Sequence, residues 1–420
     1  MKRLRLPTRT GYDLMLLSVV LGLLAIGLAM VYSASGIKAL DAQDDPRSFL
    51  IQQSVWVAIG LAALFVVARI DYHRYRRLAL PGLAIAVALL AIVLVPGIGT
   101  RVGGASRWLR ISSFAGLQPA ELAKLALVLY LAFWLAAKRE LVGRWSVTVP
   151  FVAVLTLVAA LVIAEPDLGT AIVVVAIGLA MYFIAGARIA EFAALGGLTT
   201  ICIAAVAVVQ PYRLARLAAF LDPWSDPKGG GFQTIQSIYG LALGGPIGEG
   251  LGAGKEKFGF LPAPYTDSIF AVLGDELGLI GTLAVVVLFL VIAFKGIRIA
   301  LSAPDQAGTL LATGVTAWLV FQAWVNMAVV AALVPMTGIT LPFISYGGSS
   351  ICVGLVAVGI LLNVGRQAVA RADDRASMPG PARGRGDRRP RQPAARGGGS
   401  AHRADGRRAP LHRWTSRSRG

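Results

Sequence analysis

Long apolar runs separated by short polar connections make up most of the chain. Most runs are about 20 residues long, the length at which a helix crosses a bilayer. Ten such segments can be separated, at approximately 12–34, 49–68, 76–97, 118–137, 146–164, 168–186, 189–209, 267–294, 307–332 and 346–365. Only 15% of the residues are charged, and the mean hydropathy is +0.70. The pattern predicts an all-α polytopic membrane protein with about ten transmembrane helices.

Basic residues concentrate in every second connection. Lys and Arg are frequent in residues 2–9, 69–77, 138–144 and 295–298, whereas the first connection contains Asp41, Asp44 and Asp45. Short loops that are rich in Lys and Arg remain on the cytoplasmic side of a membrane. Both termini are therefore predicted to be cytoplasmic.

The C-terminal part of the chain differs in composition from the rest. Residues 369–420 are rich in Arg, Gly, Pro and Ala, and they carry much of the net charge of +18. Such a segment cannot bury a hydrophobic core. We expect a membrane domain over residues 1–368 and a disordered basic cytoplasmic tail over 369–420. The tail fits anionic lipid headgroups or a purely solvated role, and no nucleic-acid partner is expected.

The connection between the seventh and eighth segments, about residues 210–266, is far longer than usual and lies on the extracytoplasmic side in this orientation. Its apolar positions, from Phe232 to Leu241, indicate short amphipathic helices on the membrane surface. Arg213 and Arg216 in this loop, like Arg107 in the connection at 101–110, go against the charge bias. An anionic ligand is the natural reason for such placement.

Several ionisable residues stand at or inside predicted helices. Arg107 beside Trp108 could be an interfacial anchor or a ligand for an anion. Glu121 and Lys124 lie one turn apart, so they could form a structural pair or face a functional interior. Asp167 fits an N-cap of the sixth helix.

Asp267 directly precedes the eighth segment, and two readings remain open for it. It could cap that helix, as a lone Asp usually does there. It could also be a general base, because apolar surroundings raise the pKa of a carboxyl group. Asp275 and Glu276 follow within the same helix, where they would pair with bases or line a polar crevice.

The stretch Pro335–Ser350 lies between the last two apolar segments and combines two prolines and a Gly pair with many hydroxyls. Irregular backbone at membrane depth is tolerated where it lines a cavity or the interface. Its polar side chains Ser345, Tyr346, Ser349 and Ser350 are therefore candidates for a binding site.

Seven ordered sequence blocks give the chain a specific resemblance. They are GGASRWL, QPAELAK, EPDLGT, DPWSDPKGGGFQTIQS, GGPIGEGLG, LPAPYTDSIFAVLGDELG and TGITLPFISYGGSS, spread over residues 12–366. In these blocks the chain resembles the SEDS family of FtsW-, RodA- and SpoVE-type polymerases of the bacterial cell wall. It looks more like the division-associated FtsW branch than the elongation-associated RodA branch.

The resemblance implies an inverting peptidoglycan glycosyltransferase that polymerises lipid II at the extracytoplasmic side of the bacterial cytoplasmic membrane. Asp267 matches the family's proposed catalytic aspartate. The surroundings depart from the usual pattern, with Tyr265 for His, Ser268 for Phe and Ala263 for Glu. We therefore expect Asp267 to act as the base in an altered hydrogen-bonding environment.

The resemblance also implies a set of substrate-binding residues and partners. The expected set is Arg107, Glu121, Lys124, Arg213, Arg216, Gln233, Ser345, Tyr346, Ser349 and Ser350. A divalent cation, Mg²⁺ or Mn²⁺, could help to neutralise the diphosphate. The expected partners are an undecaprenyl-diphosphate-linked glycan, a class B penicillin-binding protein with transpeptidase activity, and other division proteins.

Two other functions fit much of the same pattern. A lipid II flippase would also need broken helices and polar groups at membrane depth, but it needs no general base at Asp267. A non-enzymatic division scaffold would not require charged groups within helices four and eight. Deletion of residues 372–420 should leave an enzyme active.

Overall fold

The computed structural model describes residues 12–41, 47–102, 105–110, 116–257, 261–262 and 264–377. Twelve α-helices lie in these ranges: α1 (Leu14–Asp41), α2 (Ser48–Arg69), α3 (Arg76–Val93), α4 (Pro119–Ala137), α5 (Trp145–Ala164), α6 (Leu168–Ile184), α7 (Ile189–Val209), α8 (Pro211–Leu221), α9 (Phe232–Leu243), α10 (Ile269–Ser302), α11 (Gln306–Val330) and α12 (Gly348–Ser377). Nine of them are long and apolar enough to cross a membrane, and α6 is a shorter apolar helix. The all-α polytopic fold is confirmed, with one helix for each of the ten apolar segments.

The helix α11 is at the centre of the bundle, where it packs against α4, α6 and α10. Its most buried face carries Trp318, Gln322 and Asn326, so polar side chains as well as apolar ones face the interior. The helix α7 is the opposite case, because none of its apolar window is buried. The interior that positions polar groups is therefore built mainly on α4, α10, α11 and α12.

A small antiparallel sheet follows α3 and was not predicted. Its strands are β1 (Gly99–Val102), β2 (Ala105–Arg110) and β3 (Gly116–Leu117), in the order β1-β2-β3. The ring of Trp108 lies against Gly116, where a Cβ atom would be only 3.1 Å from it. Strands this short leave no clear signal in a hydropathy pattern, which explains the omission.

The long loop after α7 contains the two short helices α8 and α9, in agreement with its apolar positions. The part of the loop that follows α9, residues 244–250, packs against α10 at the point where that helix is interrupted. Gly278 has φ 64° and ψ −162°, and a Cβ atom there would lie 2.3 Å from the amide nitrogen of Gly248. The amides of Glu249 and Gly250 donate to the carbonyls of Asp275 and Glu276, both at 3.0 Å. The eighth segment is thus two helical pieces rather than the continuous helix that its apolar run suggested.

The last helix, α12, continues to Ser377, past the expected boundary at residue 368. The remainder of the expected tail, residues 378–420, lies outside the described residues. In its middle α12 carries Asn363, whose Nδ2 donates to the carbonyls of Ala68 and Ile70, each at 2.7 Å. These two hydrogen bonds join α12 to the C-terminal end of α2.

The turn between α10 and α11 joins the same end of the bundle. The ring of His73, which follows α2, lies between two carboxylates, with Nδ1 2.7 Å from Asp71 Oδ1 and Nε2 2.7 Å from Asp305 Oδ2. Tyr72 donates its hydroxyl to Asp305 at 3.0 Å. We call this group, with Asn363, the distal network, because α10 separates it from Asp267.

Candidate functional site

The irregular segment between α11 and α12 is held by side-chain amides from two helices. Gln322 Nε2 of α11 donates to the carbonyl of Thr340 at 3.0 Å, and Gln53 Nε2 of α2 donates to the carbonyl of Ser345 at 3.2 Å. Gln53 also accepts from the amide of Gly347 at 3.3 Å. Backbone at membrane depth needs such internal partners. Neither glutamine is among the residues predicted from the sequence. Their position as polar amides within apolar helices is the feature that could have indicated them.

The same segment approaches α1 closely at Gly27. A Cβ atom at Gly27 would lie 2.4 Å from the carbonyl oxygen of Phe343, so no larger residue fits there without displacement. Phe343 itself has φ 67°, a left-handed conformation that is uncommon for an aromatic residue. A shaped, non-helical segment is therefore built into the bundle core.

Asp267 stands immediately before α10, and its carboxyl group is held by two neighbours. Thr266 Oγ1 donates to Oδ1 at 3.0 Å, and Gln233 Nε2 of α9 donates to Oδ2 at 3.4 Å. The N-cap residue of α10 is Ser268, so the capping interpretation of Asp267 is wrong. Gln233, which is expected to bind substrate, thus contacts the candidate base.

Burial raises the pKa of the Asp267 carboxyl above its ordinary value. The hydrogen bonds from Thr266 and Gln233 and the positive charge of Arg216 act in the opposite direction without cancelling the effect. A carboxylate with a raised pKa is a stronger base than an exposed one, which is the property that proton abstraction requires.

Beside this carboxyl lies a cavity of about 550 Å³ bounded by α6, α7, α8, α11 and the start of the irregular segment. Its lining is Pro166, Leu168, Ile172, Ile203, Arg213, Arg216, Leu217, Phe321, Trp324, Val325, Ala328, Val334, Pro335, Met336 and Thr337. A Cβ atom at Gly338, the residue after this lining, would be 3.9 Å from Asp267 Oδ2. The main chain at Thr337 and Gly338 therefore lies between the cavity and the carboxyl group of Asp267.

Two guanidinium groups border this mostly apolar cavity. Arg216 donates to the carbonyl of Met336 at 3.3 Å, and Arg213 donates to the carbonyls of Val206 and Ile163 at 3.2 and 3.3 Å. Apolar walls with a few charged groups suit an amphiphile that has an anionic head.

A second apolar cavity, of about 450 Å³, lies between α6, α10 and α11. It shares Phe321 and Trp324 with the first cavity, so the two continue one another along the side of α11. Together they provide a long apolar surface that begins at the arginines.

Arg107 on β2 contacts the turn between α5 and α6. Its Nε donates to the carbonyl of Glu165 at 3.1 Å, its Nη2 donates to the carbonyl of Pro166, and its Nη1 lies 3.8 Å from Asp167 Oδ2. Asp167 caps α6 by accepting from the amide of Thr170 at 3.0 Å, as predicted. Arg107 therefore fastens the small sheet to this turn and does not line the 550 Å³ cavity.

Glu165 in the same turn is an unusual carboxyl group. It is buried, and neither of its oxygens has a hydrogen-bond partner within the described ranges. Burial, with the nearby charge of Asp167, raises its pKa to about 8 against the opposing effect of Arg107. The carboxyl group is therefore protonated at neutral pH.

Glu121 and Lys124 form the predicted pair, and both are buried. Lys124 is 1% exposed, and its Nζ donates to Glu121 Oε1 at 2.8 Å and to Gln322 Oε1 at 2.6 Å. It also lies over the ring of Trp318 at 4.9 Å. The pair therefore links α4 to α11, and its expected contact with substrate stays a prediction.

Two hydroxyl groups of the irregular segment, those of Ser345 and Tyr346, also have hydrogen-bond partners. Ser345 is 3% exposed, and its Oγ donates to the carbonyl of Thr266 at 2.6 Å while accepting from the amide of Leu341 at 2.8 Å. Both of these contacts are internal, and its expected role as a substrate ligand stays a prediction. Tyr346 donates its hydroxyl to Gln52 at 2.7 Å.

The two serines at the start of α12 differ in exposure. Ser349 is buried, and its Oγ accepts from the amide of Gln118 at 3.4 Å. Ser350 is half-buried. Only Ser350 of the expected serines keeps a partly accessible position.

Glu276 forms a buried ion pair that the sequence suggested only in general terms. Lys257 Nζ lies 2.6 Å from Glu276 Oε1 and donates to Ser33 Oγ at 2.9 Å. Asp275 Oδ2 accepts from the amide of Glu256 at 3.2 Å, and burial with the charge of Asp275 raises the pKa of Glu256 to about 7. The long loop is thus tied to α10 and to α1.

No group of three or more His, Cys, Asp or Glu side chains in the described part of the chain could hold a metal ion. Protein ligands for the expected divalent cation are therefore not assigned.

Comparison with known proteins places this geometry in a family context. The model of the family described as "Cell cycle protein", which covers FtsW, RodA and SpoVE, matches residues 13–370. Stage V sporulation protein E of Bacillus subtilis (strain 168) is 42% identical over 359 residues, covering 85% of this chain and 98% of that protein. The probable peptidoglycan glycosyltransferase FtsW of Geobacter metallireducens is 43% identical over 363 residues, covering 86% and 96%.

Solved structures show the same arrangement of the chain. A chain from a peptidoglycan synthase complex that coordinates polymerization and crosslinking has a TM-score of 0.70 at 31% identity, covering 85% of this chain and 98% of that one. The rod shape determining protein RodA of Thermus thermophilus has a TM-score of 0.63 at 28% identity, covering 86% and 99%.

Proposed function

The chain belongs to the FtsW/RodA/SpoVE family, and on that premise we propose that it is a glycosyltransferase that polymerises lipid II into peptidoglycan. The reaction takes place at the outer face of the bacterial cytoplasmic membrane. The observation that carries the proposal is the Asp267 carboxyl group, which has a raised pKa and lies beside an apolar cavity bordered by two arginines.

Asp267 acts as the general base. A growing glycan on undecaprenyl diphosphate is the donor, and the 4-hydroxyl of the GlcNAc of lipid II attacks its anomeric carbon. Asp267 takes the proton of that hydroxyl, the new glycosidic bond forms with inversion, and the bond to the diphosphate breaks. One carboxyl group suffices, since the diphosphate leaves as a stable anion and needs no acid, unlike the leaving groups of glycosidases.

The two arginines of the cavity stabilise the departing diphosphate. Arg216 and Arg213 border the apolar cavity, and the charge of Arg216 acts to lower the pKa of the Asp267 carboxyl group. Guanidinium groups bind phosphate oxygens strongly and specifically. The prenyl chain lies along the apolar surface that continues past Phe321 and Trp324.

The enzyme works beside a class B penicillin-binding protein that crosslinks the new strands, in septal synthesis during division. Support for the partner comes from the similarity to a chain of a complex that couples polymerization to crosslinking. Support for the division branch comes from the relatives that bear the name FtsW.

The test is polymerisation of fluorescent lipid II by the purified protein, alone and with its candidate transpeptidase. Wild type is compared with Asp267→Ala, and with Asp305→Ala as a folded control that lacks a carboxyl group at the distal network. We expect long glycan strands from wild type and the control, and none from Asp267→Ala.

A different result would replace the proposal. Absence of polymer from an intact complex, together with transfer of lipid II across liposome bilayers, would leave the flippase function in its place. Equal polymerisation by wild type and Asp267→Ala would remove Asp267 as the base.

A further inference from the structure

The backbone that carries Asp267 has no regular structure, yet three successive carbonyls of it are tied to the irregular segment and α11. The carbonyl of Tyr265 accepts from the amide of Tyr346 at 2.9 Å. The carbonyl of Thr266 accepts from Ser345 Oγ at 2.6 Å, and that of Asp267 accepts from Asn326 Nδ2 at 2.8 Å. None of these three bonds belongs to a helix.

Asn326 joins the two segments by a single amide group. Its Nδ2 also donates to the carbonyl of Ile339 at 2.7 Å, and the residue is buried on α11. Its Oδ1 has no donor among the described residues, so its polar contribution is made through the two N–H groups. One turn earlier on α11, Gln322 donates to Thr340, the next carbonyl of the same segment.

From this arrangement we propose that Asn326 and Ser345 are positioning residues, which fix the carboxyl group of Asp267 in its catalytic place by anchoring the main chain on either side of it. The inference rests on the proposed role of Asp267 as the base. It gives the irregular segment a role, because Ser345 and Tyr346 of that segment bind the main chain beside Asp267.

A general base must be within hydrogen-bonding reach of the proton that it removes, and a displacement of about 1 Å can reduce the rate by about 100-fold. Side-chain hydrogen bonds from Thr266 and Gln233 orient the carboxyl group, but they do not fix its main chain. The carbonyl anchors supply that restraint.

The experiment compares Asn326→Ala and Ser345→Ala with Asn363→Ala in the intact protein. Asn363 is a matched control, because it is an equally buried asparagine whose Nδ2 also donates to two carbonyls, at the distal network. Initial rates of lipid II polymerisation are measured against substrate concentration and pH, per mole of folded protein.

We expect kcat to fall by about 10- to 100-fold in Asn326→Ala and Ser345→Ala with KM nearly unchanged, and to stay near the wild-type value in Asn363→Ala. We also expect the acid limb of the kcat profile to move to lower pH in the first two variants. A less restrained main chain around Asp267 admits water to the carboxylate, which lowers its pKa. Ser345→Ala removes only a hydroxyl group, so it answers the question even if Asn326→Ala does not fold.

Equal kcat values and equal pH profiles in all three variants, with Asp267→Asn inactive, would overturn the positioning role and leave the base in place. An active Asp267→Asn variant would instead overturn the proposed function itself. The two failures are therefore distinguishable.

Discussion

Each end of the bundle contains a buried asparagine whose amide nitrogen donates to two main-chain carbonyls. Asn363 is also satisfied on its other side, because its Oδ1 accepts from the amide of Tyr72 at 3.2 Å and from Gln367 at 2.8 Å. Asn326 Oδ1 has no donor in the described segments. The asparagine side chain is therefore fully hydrogen-bonded at the distal network. At the other end of the bundle, where Asp267 lies, the amide oxygen of Asn326 lacks a donor among the described residues.

The carboxyl groups of the two ends differ in the same sense. Burial raises the pKa of Asp267, and it raises that of Glu165 to about 8. Burial also acts on Asp71, but hydrogen bonds from His73 and Gln367 outweigh it and lower the pKa to about 2. Hydrogen-bond donors surround the acids of the distal network, whereas the acids near the cavity have few donors. This difference is expected for an active site, where reactivity is gained at the expense of stability.

The largest expected effect tests both halves of this contrast. Asp267→Asn should lower kcat by about 10²- to 10⁴-fold, the range of general-base contributions. Its melting temperature at neutral pH should not fall. The stability linked to the raised pKa of Asp267 is present below the ordinary value of 3.8 and is lost as the pH rises through the raised value, whereas Asn does not titrate and has no such loss.

Asp305→Asn is the paired control for that prediction. The pKa of Asp305 is lowered, because hydrogen bonds from Gly308, His73 and Tyr72 outweigh burial. Its stabilisation is present above 3.8 and is lost as the pH falls through the lowered value, so the variant should melt earlier at neutral pH and remain active. A lower melting temperature for Asp267→Asn than for Asp305→Asn would contradict the contrast.

The next effect concerns the ion pair between the long loop and α10. Lys257→Met should destabilise the protein by about 3–5 kcal/mol, because it leaves Glu276 buried without its cation. The double variant Lys257→Met, Glu276→Leu should regain most of this loss. Chemical or thermal unfolding in detergent measures both, and no recovery in the double variant would show that the loop is held by other contacts.

A smaller and pH-dependent effect is expected at Glu165. Its stabilisation is present below its ordinary pKa of 4.5 and is lost as the pH rises through about 8. Glu165→Gln should therefore match wild type near pH 4 and melt at a higher temperature at pH 9. Parallel melting curves at both pH values would mean that the carboxyl group is not the titrating one.

The smallest effect is expected in the distal network. His73→Gln removes a ring that lies between two carboxylates, but the side chain is 51% exposed, so the loss should be about 1 kcal/mol or less. Polymerisation should be unchanged. A large fall in activity would break the division of the molecule into a reactive end and a stabilising end.

The sequence was sufficient for the ten apolar helices, because they depend on local patterns. Apolar runs predict spans, and Asp167 was correctly predicted as a cap from its place before α6. The contacts of Ser345 and Lys124 could not be predicted, since a polar residue on a helix or turn can face either a cavity or another segment. Which one it faces is decided by partners distant in sequence, such as Thr266 and Gln322.

The break in α10 was hidden for a related reason. Gly278 lies in an unbroken apolar run, and its left-handed conformation follows only from the close approach of residues 244–250. The sequence contains both glycine-rich partners, but their pairing is a tertiary contact that no local pattern specifies.

The pairing of residues 244–250 with α10 also limits how this protein can diverge. Loops usually tolerate insertions and deletions, because few other groups depend on their main chain. Here the amides of Glu249 and Gly250 complete the hydrogen bonding of a helix, so a change of length at that point would leave carbonyls unpaired. The segment that follows α9 should therefore be inherited at constant length among descendants of this sequence.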